Sequence, residues 1–210
     1  MSEPKEIVFL VDDDPAVLKG LRRLLTSAGL EVAAFESPRE FLDRHDTGAP
    51  GCLVLDLAMP GVNGMELQQQ LAARGSTLPI VFLTGHGDVP TSVQAMKRGA
   101  ADFLTKPVDE KDLLAAIRNA FEKGRAMRTA RAETAEVERR IATLTPRERE
   151  VLEHVVSGKR NKQVAGELGT VEKTVKVHRA RVMEKMGARS LAELVRLAER
   201  GGIRGTPARN

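Results

Sequence analysis

The stretch Cys52-Leu-Val-Leu-Asp-Leu-Ala-Met-Pro-Gly-Val-Asn-Gly64 decides the fold, because a short apolar run ends abruptly there on a carboxylate, Asp56. Four apolar residues in succession predict a fully buried strand of a parallel sheet. Pro60, Gly61 and Gly64 then prevent that strand from continuing regularly. Ligands of open α/β sheets bind outside the carboxyl ends of the strands. Asp56 is therefore expected to stand where such a protein does its chemistry.

Four further apolar runs flank this strand and alternate with helical periodicity. They span residues 7–11, 31–35, 80–83 and 101–104. Asp14, Ser37, Asp88 and Asp109 precede the helical segments as candidate N-caps, and Ser37 with Glu40 has capping-box spacing. Five strands alternating with five helices predict an α/β fold with a doubly wound, five-stranded parallel sheet covered on both faces. Right-handed crossovers then bring the carboxyl ends of all five strands to one rim.

The polar residues expected on this rim are Asp12, Asp13, Asp56, Thr84 and Lys106. Three crowded carboxylates repel one another, and a bound divalent cation relieves that repulsion. Oxygen ligands without His or Cys favour Mg²⁺ or Mn²⁺ over zinc. Lys106 and Thr84 could donate to the oxygens of a phosphoryl group arriving at Asp56. Each residue alone has an ordinary explanation as a turn, a surface lysine or a strand-end hydroxyl, but together they predict phosphoryl transfer to Asp56.

Residues 5–125 resemble the receiver domain of bacterial two-component response regulators, which has a flavodoxin-like fold. The matching motifs are Asp12-Asp13, Asp56-Leu-Ala-Met-Pro-Gly, Thr84-Gly-His and Lys106-Pro107. The resemblance implies that Asp56 is the phosphoacceptor and that a sensor histidine kinase donates the phosphoryl group. It further implies that Mg²⁺ is held by Asp12, Asp13, Asp56 and the backbone carbonyl of Ala58. Thr84 and Phe103 would respond to phosphorylation, with plain core packing as the alternative role for Phe103.

Position 58 departs from what is common in related receivers, which often carry a larger polar residue there. The methyl group of Ala58 is unable to orient water beside an acyl phosphate. We therefore expect Ala58 to change the lifetime of the phosphoaspartate through water access.

Charge separates the chain into two halves. Residues 1–125 carry 14 Lys and Arg against 18 Asp and Glu, a net charge of −4, whereas residues 126–210 carry 19 against 11, a net charge of +8. Only the second half is therefore expected to meet a polyanion. The single cysteine, Cys52, excludes an intrachain disulfide. The polar N-terminus and the shortness of all apolar runs predict a cytoplasmic protein without a membrane partner.

The sequence of the basic half predicts a small bundle of four short helices. Thr145-Pro-Arg-Glu148 is a capping box that opens the first, and Ser190 caps the last. The middle pair, residues 161–168 and 171–186, has the proportions of a helix-turn-helix. Lysines and arginines along the second helix of that pair suit phosphates and base edges of double-stranded DNA. An ordinary amphipathic surface helix is the alternative if this helix is considered alone.

Three motifs in this half resemble LuxR-type DNA-binding domains: Leu144-Thr-Pro-Arg-Glu-Arg-Glu-Val-Leu152, Asn161-Lys-Gln-Val-Ala165 and Lys173-Thr-Val-Lys-Val-His178. With the receiver in front, the whole chain resembles the FixJ subfamily of transcriptional regulators. The resemblance implies DNA contacts by Asn161, Lys162, Lys173, Thr174, Lys176, Val177, His178 and Arg179. His178 could instead pack in the core. Arg160 and Val171 replace the small hydroxyl residues that often cap these two helices, so Asn161 and Thr170 are the candidate substitutes.

Three functions are compatible with these features, and one is preferred. The preferred function is a response regulator with a receiver at 1–122, a partly helical, solvated linker at 123–143 and a DNA-binding domain at 144–205. Phosphorylation would make it a homodimer through a face containing Val93, Met96 and Lys97, with RNA polymerase as a further partner. A phosphohydrolase using Asp56 is disfavoured because Ala58 stands where such an enzyme carries its general acid. DNA binding independent of phosphorylation is disfavoured by the intact acidic pocket.

Overall fold

The computed structural model describes residues 5–45, 48–85 and 89–203. Asp88, an expected N-cap, and the last two residues of the expected DNA-binding domain lie outside these ranges. The chain divides into two compact units, Met1–Arg128 and Thr129–Asn210. The division falls inside the segment 123–143 that is expected to link two domains.

The first unit contains one sheet of five parallel strands in the order β2-β1-β3-β4-β5. The strands are β1 (Ile7–Val11), β2 (Glu31–Phe35), β3 (Gly51–Asp56), β4 (Ile80–Thr84) and β5 (Asp102–Thr105). The helices between and after them are α1 (Pro15–Ser27), α2 (Pro38–Arg44), α3 (Gly64–Ala73), α4 (Val89–Lys97) and α5 (Glu110–Ala142). This arrangement confirms the predicted α/β fold.

Helices cover both faces of the sheet because successive strand residues point to opposite sides. On β3, Cys52 and Val54 pack with the buried side chains of α1 and α5. Leu53 and Leu55 point the other way and pack with those of α2, α3 and α4. All six residues of β3 are buried, as expected of a strand at the centre of a parallel sheet.

The helices of the first unit begin largely as their sequences predict. Asp14 caps α1, its Oδ1 accepting from the backbone N–H of Ala16 at 2.8 Å. Ser37 caps α2, but Glu40 does not complete a capping box, because its carboxylate accepts from the N–H of Glu36 instead.

The second unit consists of the C-terminal part of α5 and four shorter helices: α6 (Pro146–Val156), α7 (Asn161–Glu167), α8 (Glu172–Met186) and α9 (Leu191–Arg200). Thr145 and Glu148 form the predicted capping box of α6. Val137 and Ile141 of α5 are buried in the same core as the apolar side chains of α6–α9. This part of the expected linker is therefore packed and not solvated. Within the described ranges, no helix combines the length and the apolar character that crossing a membrane requires.

Neither α7 nor α8 begins with a side-chain cap. The N–H of Arg160 donates to the side chain of Gln163 at 2.8 Å, which holds the first turn of α7. Asn161 is the first helical residue and bonds to Arg179, so it does not replace the missing cap.

Candidate functional site

The carboxyl ends of four strands bring the polar residues of the first unit together. Asp12 and Asp13 follow β1, Asp56 ends β3, Thr84 ends β4, and Lys106 follows β5. Asp12, Asp56 and Thr84 are buried, with 3%, 5% and 2% of their surfaces exposed. Burying three polar residues in one place is unfavourable unless they find partners.

Gly64, at the start of α3, allows the chain to pack closely behind this cluster. A Cβ atom at that position would lie 2.6 Å from the backbone oxygen of Asp56. Gly64, which has no side chain, therefore allows the loop after β3 to fold back against the end of that strand.

Lys106 bridges the two buried carboxylates. Its Nζ lies 2.6 Å from Oδ2 of Asp12 and 2.9 Å from Oδ1 of Asp56. Burial by itself lowers the pKa of Lys106, but the hydrogen bonds and charges of Asp12 and Asp56 outweigh it and raise the pKa above its ordinary value. The side chain is therefore a cation, and it lies where a group attached to Asp56 would be.

The three aspartates form a site with the chemistry of a divalent-cation centre. One carboxylate oxygen from each of Asp12, Asp13 and Asp56 lies within 4.8 Å of the others, and Asp13 is exposed to solvent. Lys106 offsets one of three formal negative charges, which leaves a net formal charge of −2. Oxygen ligands of this kind suit Mg²⁺. Ala58, two residues beyond Asp56, is exposed, so its side chain shields the site little.

Thr84 ends β4, and Phe103 lies on the adjacent strand β5, two residues before its end. The carbonyl of Thr84 accepts from the N–H of Lys106 at 2.7 Å, which ties the end of β4 to the loop after β5. Phe103 is half-buried on β5, with its ring centroid 6.3 Å from that of Phe82. The partial exposure leaves room for a change of rotamer that a fully buried ring would not have.

One face of α4 is apolar and exposed. Val93 and Met96 are 44% and 45% exposed, and Val89, which is not among the residues predicted for this face, is 73% exposed. These residues are four and seven positions apart and so share one helix face. Ala95 is buried, and Lys97 is exposed. The same spacing in the sequence could have identified Val89.

The candidate nucleic-acid interface lies on α7 and the first half of α8. Lys162, Lys173 and Lys176 are exposed, and among the described residues Lys162 and Lys173 form no ion pair. Val177 is 47% exposed, so an apolar side chain lies beside these cations. Thr174, which lies between Lys173 and Lys176 in the sequence, is half-buried. Cations, a hydroxyl and an apolar group thus occupy one exposed stripe.

Two of the expected DNA-contacting residues, Asn161 and Arg179, are hydrogen-bonded to each other, and a third, His178, is half-buried. Arg179 donates from Nη1 to Oδ1 of Asn161 at 3.1 Å, joining α8 to α7. His178 is half-buried, and its Nδ1 is shielded from solvent without a hydrogen-bond partner in the described part of the chain.

The second unit also contains polar contacts that the sequence does not predict. Lys185 bonds to Glu148 at 2.6 Å, and Arg140 donates to the carbonyl oxygen of Met186 at 2.9 Å. Burial of Glu148, which is 3% exposed, was not foreseeable from a capping box that is normally at the surface.

Comparison with known families assigns a function to each half. Residues 8–118 match the family model of the response regulator receiver domain. Residues 142–198 match that of the bacterial regulatory proteins of the luxR family.

Curated relatives combine both parts along nearly the whole chain. Nodulation protein W of Bradyrhizobium diazoefficiens is 48% identical, over 95% of this chain and 88% of its own length. The transcriptional regulatory protein FixJ of Azorhizobium caulinodans is 49% identical, over 93% of each chain.

Solved structures agree with this assignment. The response regulator StyR is 50% identical and superposes with a TM-score of 0.78, covering 93% of this chain and 98% of its own. Full-length FixJ from B. japonicum is 43% identical with a TM-score of 0.58, covering 95% and 98%.

Proposed function

Because this chain belongs to the response regulators that join a receiver domain to a LuxR-type DNA-binding domain, we propose that phosphorylation of Asp56 controls how it binds DNA. The family consists of transcriptional regulators and not of catalysts. The observation that carries the proposal is the pairing of a buried Asp56 with Lys106, beside two further carboxylates. We propose residues 1–122 as the receiver, 123–143 as the connecting segment and 144–205 as the DNA-binding domain.

The proposed phosphoryl donor is a sensor histidine kinase. An oxygen of the Asp56 carboxylate attacks the phosphorus, a P–O bond forms, and the P–N bond to the kinase histidine breaks with its electron pair leaving on nitrogen. Bound Mg²⁺, or Mn²⁺, would neutralise charge on the transferred oxygens. Asp12, Asp13, Asp56 and the backbone carbonyl of Ala58 are the groups that would hold it.

Lys106 and Thr84 are proposed to bind the transferred group. Lys106 already lies 2.9 Å from an oxygen of Asp56, so its ammonium is in place to pair with a phosphoryl oxygen. The Thr84 hydroxyl, at the end of the neighbouring strand, would donate to another. Little covalent chemistry is needed from the protein, since positioning and charge neutralisation account for most catalysis of phosphoryl transfer.

The response is proposed to pass from Thr84 to the α4–β5 face. Movement of Thr84 toward the phosphoryl group opens space that Phe103 can fill. The exposed apolar face of Val93 and Met96, with Lys97 beside it, would then become the contact between two receivers. Covering exposed apolar side chains supplies the free energy for such a contact.

The proposed DNA contacts come from α7 and α8. Lys173, Lys176, Thr174 and Val177 would face the major groove, and Lys162 would lie against phosphates. His178 and Arg179 are included on the groove side, and Asn161 would lie with Lys162 nearer the phosphates; the Asn161–Arg179 bond joins the two helices. A dimer would present two such helices to a two-fold site, where RNA polymerase is a further partner. A DNA target implies a cytoplasmic site of action.

The test combines light scattering with DNase footprinting, on chain treated with acetyl phosphate and Mg²⁺. We expect the molar mass to double and a two-fold symmetric footprint to strengthen, with neither change in the Asp56→Asn variant. Confirmed phosphorylation without any change in mass or DNA affinity would show that this proposal is wrong.

A further inference from the structure

The C-terminal end of α8 is held by a side chain from another helix. The helix stops at Met186, because Gly187 adopts a left-handed conformation with φ of +65°. The Nη1 of Arg140, on α5, donates to the carbonyl oxygen of Met186 at 2.9 Å. The last carbonyls of a helix lack partners within it and carry the negative end of its dipole. Arg140 therefore satisfies one such carbonyl and supplies the favoured charge.

Arg140 is itself held in one orientation. Its Nε donates to Oε1 of Glu136, one turn earlier on α5, at 2.9 Å. Glu136 also pairs with Nη2 of Arg139 at 2.5 Å. The hydrogen bond from Arg140, and then the charge of Arg139, hold the pKa of Glu136 below its ordinary value. Since the guanidinium is a rigid plane, the bonds to Glu136 and Met186 together fix its position.

The absence of a side chain at Gly187 leaves space for this contact. A Cβ atom there would lie 2.7 Å from Nη1 of Arg140. The residue thus ends α8 with a backbone conformation that favours glycine, and it also leaves room for the guanidinium.

A second contact ties the same turn of α8 to the chain just after α5. The Nζ of Lys185 donates to the carbonyl of Thr143 at 3.0 Å and to Oε2 of Glu148 at 2.6 Å. The side chains that would face DNA lie in the first half of α8, which has 15 residues and is about 22 Å long. Because a helix is stiff over such a length, fixing its last turn determines where its first half projects.

We propose that Arg140 is a positioning residue for DNA reading, which sets the recognition helix α8 by holding its C-terminal end on α5. This inference rests on the proposed role of α8 in the DNA complex. Arg140 does not contact DNA in this scheme. It acts through the Met186 carbonyl and Gly187.

Arg139 provides the matched control. It lies on the same helix, pairs with the same Glu136 and carries the same charge, but it is 75% exposed and has no bond to α8 among the described residues. Arg140→Gln and Arg139→Gln therefore remove the same charge and weaken long-range attraction to DNA equally. A difference between them reports the contact with α8.

The experiment uses full-length chains, treated with acetyl phosphate and Mg²⁺, and a duplex that the wild-type protein selects from a random-sequence pool. We expect R140Q to lose about tenfold in affinity for this duplex, the effect of one charge-assisted hydrogen bond. R139Q should lose less than about twofold. Both variants should bind an unrelated duplex equally and show the same dependence of affinity on salt. Arg140→Lys, which keeps the charge but not the fork, should recover part of the loss.

Other outcomes separate the alternatives. Equal affinities of R140Q and R139Q for the selected duplex would overturn the positioning role. A salt slope lower by about one in R140Q than in R139Q would make Arg140 a phosphate ligand instead. Hydrogen exchange of α6 amides shows whether each variant is folded at the assay temperature, and a loss of affinity that only follows unfolding would also refute the proposal.

The failure of the underlying function has a different signature. If the wild-type chain selects no sequence, or if Lys176→Ala binds the selected duplex as the wild type does, then α8 is not the recognition helix. That result would remove the proposed DNA contacts of α8, on which this inference rests, whatever the Arg140 variants show.

Discussion

In the first unit Lys106 faces Asp12 and Asp56 with Asp13 beside them, whereas in the second unit Lys185 pairs with one carboxylate among the described residues, that of Glu148. Both clusters combine a lysine with a nearly buried carboxylate. The first is under-neutralised, since its lysine contacts two carboxylates and a third, Asp13, lies beside them. The second is balanced, and Glu148 also accepts a hydrogen bond from the N–H of Thr145 at the start of α6.

This difference in charge balance distinguishes a cluster that can bind a ligand from one that only stabilises the fold. A buried carboxylate whose hydrogen bonds and charge are satisfied has little to gain from a ligand. A cluster with excess negative charge gains from any cation that fits its oxygen atoms, and with that cation from a phosphoryl group.

The largest effect is expected from Asp56→Asn. The amide is a poor nucleophile, so uptake of a phosphoryl group from acetyl phosphate should stop entirely, as measured by intact mass spectrometry. The first unit should remain folded, because Lys106 keeps its bond to Asp12. Asp109→Asn, at the exposed start of α5, serves as the control and should be phosphorylated like the wild type. A phosphoryl mass increment on the Asp56→Asn chain would contradict this assignment.

Binding of Mg²⁺ should stabilise the unit that contains the three aspartates and not the unit that contains Glu148 and Lys185. A ligand present at a hundred times its Kd stabilises the fold that binds it by about 2.7 kcal/mol. Saturating Mg²⁺ should therefore slow the hydrogen exchange of β3 and β4 amides in the first unit and leave α6 and α8 in the second unit unchanged. Asp13→Asn, at an exposed position, should remove this protection without disturbing the core.

NaCl added to the same ionic strength as the Mg²⁺ salt serves as the control in that measurement. Equal protection of both units by Mg²⁺, or full protection of the Asp13→Asn chain, would show that the acidic cluster is not the metal site.

The Glu148–Lys185 pair should contribute to the free energy of unfolding of the second unit. The hydrogen bonds from Lys185 and from Thr145 lower the pKa of Glu148 from 4.5 to about 2. A carboxyl group with a lowered folded-state pKa contributes stability that is present above its unfolded-state pKa and is lost as pH falls through the folded-state value. Glu148→Gln should cost about 1.5 kcal/mol at pH 7, and this cost should shrink between pH 4.5 and 2.

Urea unfolding followed by circular dichroism, with wild type and E148Q compared at each pH, isolates this contribution because the first unit is common to both. Glu150→Gln on the exposed side of α6 controls for loss of a charge. A difference between wild type and E148Q that stayed constant down to pH 2.5 would mean that the Glu148–Lys185 pair does not hold the second unit together.

The residues of the first cluster are predictable because they follow from topology. Parallel strands joined by right-handed crossovers bring their carboxyl ends to one rim, so a residue at a strand end has a known neighbourhood. Asp12, Asp56 and Lys106 can therefore be grouped from the amino-acid sequence alone. The fold itself needs only the alternation of apolar runs and helical periodicity.

The second cluster is not predictable in the same way. Lys185 and Glu148 are 37 positions apart, and Arg140 and Met186 are 46 apart. Long flexible side chains meet there according to how the helices pack, and no spacing in the sequence encodes that meeting. The segment 123–143 is predicted to be a solvated connector, and that prediction is wrong for its C-terminal part, where Val137 and Ile141 are buried. These two side chains are buried because they pack into the same core as the apolar side chains of α6–α9.

The smallest effect is expected at Ala58, next to the under-neutralised cluster. Ala58 is exposed and carries no group that could shield or orient water at Asp56. A longer side chain should cover the site, so Ala58→Arg should slow the decay of phosphorylated Asp56 by about threefold, less than about 1 kcal/mol on the barrier. Ala58→Leu, of similar reach but without charge, should slow decay as well if water access is the cause. Equal decay rates in all three chains, measured by loss of the phosphoryl mass in EDTA, would show that the side chain at this position does not govern the lifetime. Slowing by Arg alone would assign the effect to its charge beside the phosphoryl group.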